Sequence, residues 1–167
     1  MDEKVFFTVG PSAIYLNVDK WTNEFYEKGY ASEYHRSTAF QYMYQHLDEQ
    51  LRILMNIPST HAIFLASSGS EIMERILQNC VSKSSFHFIN GAFSKKFYNY
   101  ANRIGLDTSK YESEFFTDFY PFIHSDTELI CITHNETSTG IKTNEAYIHN
   151  IKKRNPKSIL AVDTVSS

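Results

Sequence analysis

The stretches ELICITHNETSTG (Glu128–Gly140) and SILAVDTVSS (Ser158–Ser167) share one pattern, an apolar run of β-forming residues followed at once by a short polar tip. Such runs predict buried strands of an open α/β sheet. In these sheets a ligand binds in the crevice at the carboxyl ends of the strands. The two tips carry Asn135, Thr137 and Asp163, which offer two hydrogen-bonding groups and one carboxylate. We therefore predict a cofactor-type site where the tips meet.

Outward from these stretches, short apolar runs alternate with segments whose apolar residues recur at helical spacing. This alternation predicts a three-layer α/β fold, with a mostly parallel sheet and helices on both faces. The predicted strands are 61–66, 85–89, 112–117, 128–133 and 158–162, and the predicted helices are 69–81, 92–104 and 143–154.

The first 57 residues carry no strand pattern and predict a helical N-terminal arm. One helix is expected over 17–29, ended by Gly29. A longer one is expected over 37–55, with a continuous apolar stripe. Pro58 ends this part of the chain, so we expect a division into an arm at 1–57 and an α/β domain at 58–167.

Bulk properties exclude several classes of protein. The net charge is −3 with no basic block, which argues against a nucleic-acid partner. The N-terminus is unlike a signal peptide, and no apolar stretch approaches the roughly 20 residues of a membrane span. No metal-type Cys/His spacing occurs, and His46, His61, His87 and His149 are expected to be structural. The two cysteines, Cys80 and Cys131, sit in apolar patterns and predict buried free thiols in a reducing cytoplasm.

A phosphate loop is one interpretation of Ser67-Ser68-Gly69-Ser70, where a predicted strand feeds directly into a helix. Helix N-termini carry unpaired N–H groups and bind phosphate, and a glycine there lets the backbone approach closely. The alternative is a simple serine N-cap, which Glu71 in the first helical turn favours. The segment is neither a P-loop nor a nucleophile elbow, because the required lysine and glycine positions do not match.

Two further strand ends carry residues suited to a flat ring. Phe93, in the first turn after Asn90-Gly91, is placed to stack on such a ligand, or else it is a core aromatic. Asp163 and Val165 lie two residues apart and so share one side of an extended chain. A carboxylate beside a branched apolar group suits a protonated heteroaromatic ring, although Asp163 is equally suited to capping a turn.

The segment YHRST holds His35 and Arg36 after an irregular stretch. Arginine grips anionic groups with two parallel hydrogen bonds, so this pair is a candidate for binding an anionic substrate. An exposed arginine is more often only solvated.

Taken in order, these motifs resemble the class V aminotransferases, pyridoxal-phosphate enzymes of fold type I. The nearest members are the phosphoserine aminotransferases, followed by alanine–glyoxylate and serine–glyoxylate enzymes. The resemblance rests on FTVGPSAIY, EYHRS, SSGSE, NGAF, HNETSTG and VDTVSS, of which the last two are the most specific pair.

The resemblance implies a role for each matched residue. Ser68, Gly69 and Ser70 would hold the cofactor phosphate, and Phe93 would stack on the pyridine ring. Thr137 would hydrogen-bond the phenolic oxygen, Asp163 would pair with the pyridinium nitrogen, and Val165 would pack on the other ring face. Gly10, His35 and Arg36 would bind substrate.

The same resemblance implies a homodimer whose substrates are small anionic amino and keto acids. The Schiff-base lysine is expected on a later strand, past Ser167, and the C-terminal small domain is expected to be absent. On this basis the chain is an N-terminal part of an aminotransferase that moves an amino group from glutamate to 3-phosphohydroxypyruvate in serine biosynthesis. A glyoxylate-type aminotransferase, an FMN-binding flavodoxin-like module and a non-catalytic fragment remain as alternatives.

Overall fold

The computed structural model describes residues 13–116 and 119–167. It divides into two compact units, one ending at Phe64 and the other covering Leu65–Ser167. The division predicted between residues 57 and 58 falls in the non-helical stretch that follows the last helix of the first unit.

The first unit is helical where it is described. Ser37 caps its long helix, since the Ser37 hydroxyl accepts a hydrogen bond from the N–H of Phe40 at 3.1 Å. No residue of its two α-helices is buried in this structure. The elements are helix α1 (Val18–Glu27), a 3-10 turn (Tyr30–Ser32) and helix α2 (Thr38–Met55).

A parallel sheet forms the centre of the second unit. In its described part the strand order is β2-β1-β3-β6, with every neighbouring pair parallel. A short antiparallel pair, β4 and β5, follows β3. The strands are β1 (Ser84–Ile89), β2 (Asp107–Glu112), β3 (Leu129–Thr133), β4 (Asn135–Glu136), β5 (Ile141–Lys142) and β6 (Ile159–Asp163).

Helices cover both faces of this sheet. Helices α3 (Gly69–Cys80) and α4 (Ala92–Arg103) pack on one face, and α5 (Glu145–Arg154) packs on the other. Every residue of β3 is buried because it has a helical layer on each side. The predicted three-layer, mostly parallel α/β fold is confirmed.

Two strand predictions are wrong. No strand forms at 61–66, where Phe64 and Leu65 are exposed, because this apolar run has no neighbouring strand among the described residues. The strand expected at 112–117 lies at Asp107–Glu112 instead. It is an exposed edge strand, so its sequence is polar and lacks the apolar signal that a buried strand gives.

The cysteines differ from each other. Both are free thiols, but Cys80 is exposed at the end of α3, which corrects the expectation that it is buried. Cys131 lies on β3 and packs in the core between the sheet and helices α3 and α4, and burial raises the pKa of its thiol well above the ordinary value. Within the described ranges, no helix is long and apolar enough to cross a membrane, and no cluster of side chains is arranged to hold a metal ion.

Candidate cofactor site

Three of the chain's loops meet at the carboxyl edge of the sheet. The β3–β6 register pairs Thr133 with Asp163, so the polar segments after these two strands leave the sheet side by side. Helix α3 begins beside them, since Gly69 lies against Val165. This is the edge where an open parallel sheet binds its ligands.

A cavity of about 210 Å³ opens at this edge, in the second unit. All the residues that the sequence predicts for cofactor binding line it, and four other residues, Met73, Thr133, Asn135 and Ser166, complete its wall. The predicted set is Ser68, Gly69, Ser70, Phe93, Thr137, Asp163 and Val165.

The start of α3 forms one end of the cavity. The Ser68 hydroxyl accepts a hydrogen bond from the N–H of Glu71 at 3.2 Å, so the N-cap expected as an alternative is present. Glu71 turns back and accepts from the N–H and hydroxyl of Ser67, which lowers the pKa of its carboxyl. The N–H groups of Gly69 and Ser70 have no intrahelical acceptor, because they belong to the first turn. Capping by Ser68 therefore leaves donors for an anion.

Gly69 brings the start of α3 into close contact with Val165. A Cβ built on Gly69 would lie 2.9 Å from Cγ2 of Val165, closer than real side chains approach. The absence of a side chain lets the helix start and the β6 loop share one wall of the cavity. The two predicted site residues thus constrain each other.

The loop after β6 lines the opposite end of the cavity. Asp163 accepts a hydrogen bond from the N–H of Val165 at 3.1 Å through Oδ1, which is the turn cap foreseen as its alternative role. Thr137 and Ser166 share a hydrogen bond between their hydroxyls at 2.6 Å, and the Asn135 amide donates to the Ser166 carbonyl at 2.5 Å. These contacts tie the β3 loop to the β6 loop.

A buried carboxylate missed by sequence reasoning orders the wall that carries Phe93. Glu136 is fully buried, and its carboxylate accepts from the N–H of Ser94 at 2.9 Å and from that of Phe93 at 3.3 Å. It also accepts from the Ser138 hydroxyl at 2.7 Å. Burial alone would raise the pKa of Glu136, but the hydrogen bonds from Ser138 and Ser94 outweigh it and lower the pKa. The sequence signal was only an acid between Asn135 and Thr137, which resembles any loop acid.

The predicted substrate residues are placed differently. His35 and Arg36 belong to the first unit and are exposed, with the His35 ring packed edge-on against Tyr34. Gly10 lies outside the described residues. Their roles stay predictions.

Comparison with known proteins identifies relatives. No family model matches the chain. It is 27% identical over 138 residues to a phosphoserine aminotransferase of Lactococcus lactis subsp. cremoris, covering 76% of this chain and 38% of that protein. It is 28% identical over 148 residues to a serine–glyoxylate aminotransferase of Methylorubrum extorquens, covering 81% of this chain and 37% of that one. The crystal structure of a phosphoserine aminotransferase from Cytophaga hutchinsonii matches with a TM-score of 0.84 and 38% identity, over 100% of this chain and 47% of that chain.

The chain is related to the class V aminotransferases. It spans less than half the length of the relatives named above. A phosphoserine aminotransferase from Trichomonas vaginalis, solved with pyridoxal phosphate bound, shares the fold at a TM-score of 0.62 and 20% identity, over 81% of this chain and 45% of that one. The relatives are therefore aminotransferases of the kind that the motifs resemble, and the Trichomonas vaginalis structure contains the cofactor expected from those motifs.

The cavity of this aminotransferase relative suits pyridoxal phosphate by its chemistry. The cavity is lined by a helix start with free N–H groups, an aromatic ring, a hydroxyl and a carboxylate. These groups suit, in that order, a phosphate, a flat ring, a phenolic oxygen and a protonated ring nitrogen, all of which pyridoxal phosphate has. None of the residues lining this described cavity is a lysine. The lining residues offer only non-covalent contacts of the kind that this cofactor uses, namely hydrogen bonds, charge and ring packing.

Proposed function

We propose that this chain forms the cofactor-binding part of a pyridoxal-phosphate-dependent aminotransferase. The observation that carries the proposal is that the predicted cofactor residues, distant in sequence, line one cavity at the carboxyl edge of the sheet. Pyridoxal phosphate supplies the electron sink on which amino-group transfer depends. The chain's own residues bind and orient this cofactor, and one of them, Asp163, keeps a proton on its ring nitrogen.

The role proposed for each residue is the one that the resemblance implies, and the position of all these residues in one cavity supports it. The N–H groups at Gly69 and Ser70, with the hydroxyls of Ser68 and Ser70, bind the phosphate. Phe93 and Val165 cover the two faces of the ring. Asp163 keeps a proton on the ring nitrogen, since a carboxylate favours the protonated form of a neighbouring base. Thr137 donates to or accepts from the phenolic oxygen.

For the reaction we propose transfer from glutamate to 3-phosphohydroxypyruvate, the step of serine biosynthesis. The phosphoserine aminotransferases among the relatives support this choice. Arg36 and the adjacent His35, together with Gly10, supply a site for the anionic group of the substrate. The working form is a homodimer and the location is the cytoplasm.

A second candidate is a glyoxylate aminotransferase. The Methylorubrum extorquens serine–glyoxylate enzyme matches at 28% identity, level with the 27% of the Lactococcus lactis phosphoserine enzyme. In the first candidate the three-carbon substrate carries a phosphate group, as 3-phosphohydroxypyruvate or, in the reverse direction, as the amino donor phosphoserine. In the second candidate the amino donor is serine, which carries none. An assay that offers both donors therefore separates them.

The test uses protein expressed from its complete reading frame, loaded with pyridoxal phosphate. Phosphoserine with 2-oxoglutarate and serine with glyoxylate are compared by glutamate and glycine formation. The first proposal expects glutamate formation to dominate and Arg36→Ala to raise KM for phosphoserine about tenfold or more, as the loss of a charge-assisted bond predicts. Arg103→Ala, which removes a guanidinium packed over Tyr100, is the control. Preference for serine and glyoxylate selects the second candidate, and no transfer with any donor contradicts both.

A further inference from the structure

Lys96 contacts Ser70, a residue that lines the candidate cavity, although Lys96 itself is not among the predicted site residues. It lies on α4 three residues after Phe93, so both side chains lie on one side of that helix. Its ammonium Nζ donates a hydrogen bond to the hydroxyl of Ser70 at 2.7 Å. The side chain is half-buried, and it links two helices that both border the candidate site.

The charge of Lys96 is poorly compensated within the described parts of the chain. No carboxylate there lies within ion-pair distance of its Nζ, and its neighbours are the Ser70 hydroxyl and the ring of Tyr100, whose centre is 5.7 Å away. The nearest acid of α3 by sequence, Glu71, is engaged with Ser67 and Arg75. A partly buried cation with only a neutral acceptor is unfavourable, and an anion beside it would relieve this.

The hydrogen bond also sets the direction of the Ser70 hydroxyl. A serine oxygen that accepts from an ammonium keeps its own O–H free to donate. An ammonium has three donors, of which Ser70 takes one. The contact therefore leaves both the Ser70 O–H and two N–H groups of Lys96 free to donate to another group.

We propose that Lys96 is a phosphate-binding residue of the cofactor site, acting on the phosphate dianion by its charge and through the oriented Ser70 hydroxyl. This rests on the proposed function, because it assumes that the phosphate of pyridoxal phosphate lies at the start of α3. The neighbouring Lys95 differs from Lys96 in both exposure and position. Lys95 is exposed and lines a separate cleft with Glu112 and Glu114.

The test compares Lys96→Met with Lys95→Met, using two ligands that differ only in the phosphate. Each variant is titrated with pyridoxal phosphate and with pyridoxal, and the absorbance of the ligand is followed. Lys96→Met is expected to raise Kd for pyridoxal phosphate about 10- to 100-fold, the range for a lost bond to a charged group, while Kd for pyridoxal changes less than about twofold. Lys95→Met is expected to leave both values as in the unaltered protein.

A second variant tests whether Lys96→Met weakens binding only because the protein misfolds. Lys96→Arg keeps the charge and is expected to recover most of the affinity for pyridoxal phosphate. Equal weakening of both ligands by Lys96→Met, or equal effects of the two methionine variants, would overturn the role of Lys96 while leaving the cofactor proposal standing. Borohydride trapping of either ligand on Lys96 would also overturn it. Failure of the unaltered protein to bind pyridoxal phosphate would overturn both.

Discussion

Glu136 and Ser94 join two segments that lie far apart in sequence, since the buried carboxylate accepts from both the N–H and the hydroxyl of Ser94 at 2.9 Å each. Ser94 is in the first turn of α4, so a negative charge there complements the helix dipole. The same carboxylate immediately precedes Thr137 in the chain. One buried acid therefore fixes both the helix that presents Phe93 and the loop that presents Thr137.

Replacing Glu136 by glutamine is expected to lower the free energy of unfolding by about 2–3 kcal/mol, because buried N–H groups lose a charged acceptor. Urea unfolding measures the change, with the exposed Glu114→Gln as the control. The folded pKa of Glu136 is lowered, so its stabilisation is full above the ordinary carboxyl value of 4.5 and is lost as pH falls through the folded pKa. The variant should lose this part of the acid sensitivity; equal unfolding profiles would show that the contact stabilises nothing.

Gly91 is expected to tolerate no side chain. Its φ of 174° is ordinary extended backbone, but a Cβ there would overlap Glu136 and Ser138. Gly91→Ala should destabilise by about 1–3 kcal/mol, the usual cost of overpacking. Chemical denaturation in a double-mutant cycle checks this, since the cost should shrink when Glu136→Ala removes the overlapping atoms. A cost that is the same in both backgrounds would place its origin elsewhere.

At Gly69 the expected effect is on binding more than on stability. The Cβ of Gly69→Ala would meet the tip of Val165, which is 76% exposed and free to turn aside. Thermal unfolding should change little, whereas displacement of Val165 should weaken pyridoxal phosphate binding about tenfold, or about 1.4 kcal/mol. Val165→Ala combined with Gly69→Ala should recover part of the loss. Unaltered binding by Gly69→Ala would mean that these residues do not face the cofactor.

His87 is expected to make stability depend on pH. It is fully buried beside Ser85, its Nε2 lies 2.9 Å from the Ser85 hydroxyl, and burial lowers its pKa from 6.5 to about 4. Its contribution is therefore full above pH 6.5 and is lost as pH falls towards 4, by up to about 3 kcal/mol at 1.4 kcal/mol per pKa unit. His87→Gln should flatten the unfolding free energy across this window, and the exposed His149→Gln should not. A slope retained in His87→Gln would assign it to another group.

Much of the second unit could be predicted because its strands and helices bury their apolar residues in regular patterns. The runs 85–89 and 128–133 are covered by helices on the faces they were expected to bury. The failures have the opposite cause. Residues 61–66 are apolar without forming a strand, and Asp107–Glu112 forms a strand without being apolar, since an edge strand is defined by its neighbour.

The residues of the candidate site also fall into a group that the sequence predicts and a group that it does not. Residues at strand ends and helix starts were predictable, because topology alone brings those positions to one edge. Glu136 and Lys96 were not, since a buried acid and a half-buried lysine look in sequence like any solvated residue. Their hydrogen bonds, from Ser94 to Glu136 and from Lys96 to Ser70, are visible only in the structure.

The central claim is that the cavity at the sheet edge binds pyridoxal phosphate with Asp163 facing its ring nitrogen. The most direct measurement is a titration of the purified protein with pyridoxal phosphate, followed by the circular dichroism that the bound cofactor acquires. Saturation at one cofactor per chain is expected, with Kd raised about 10- to 100-fold by Asp163→Asn, which removes a charged partner, and unchanged by the exposed Asp126→Asn. Absence of saturable binding, or equal Kd values for the unaltered protein and Asp163→Asn, would contradict the account.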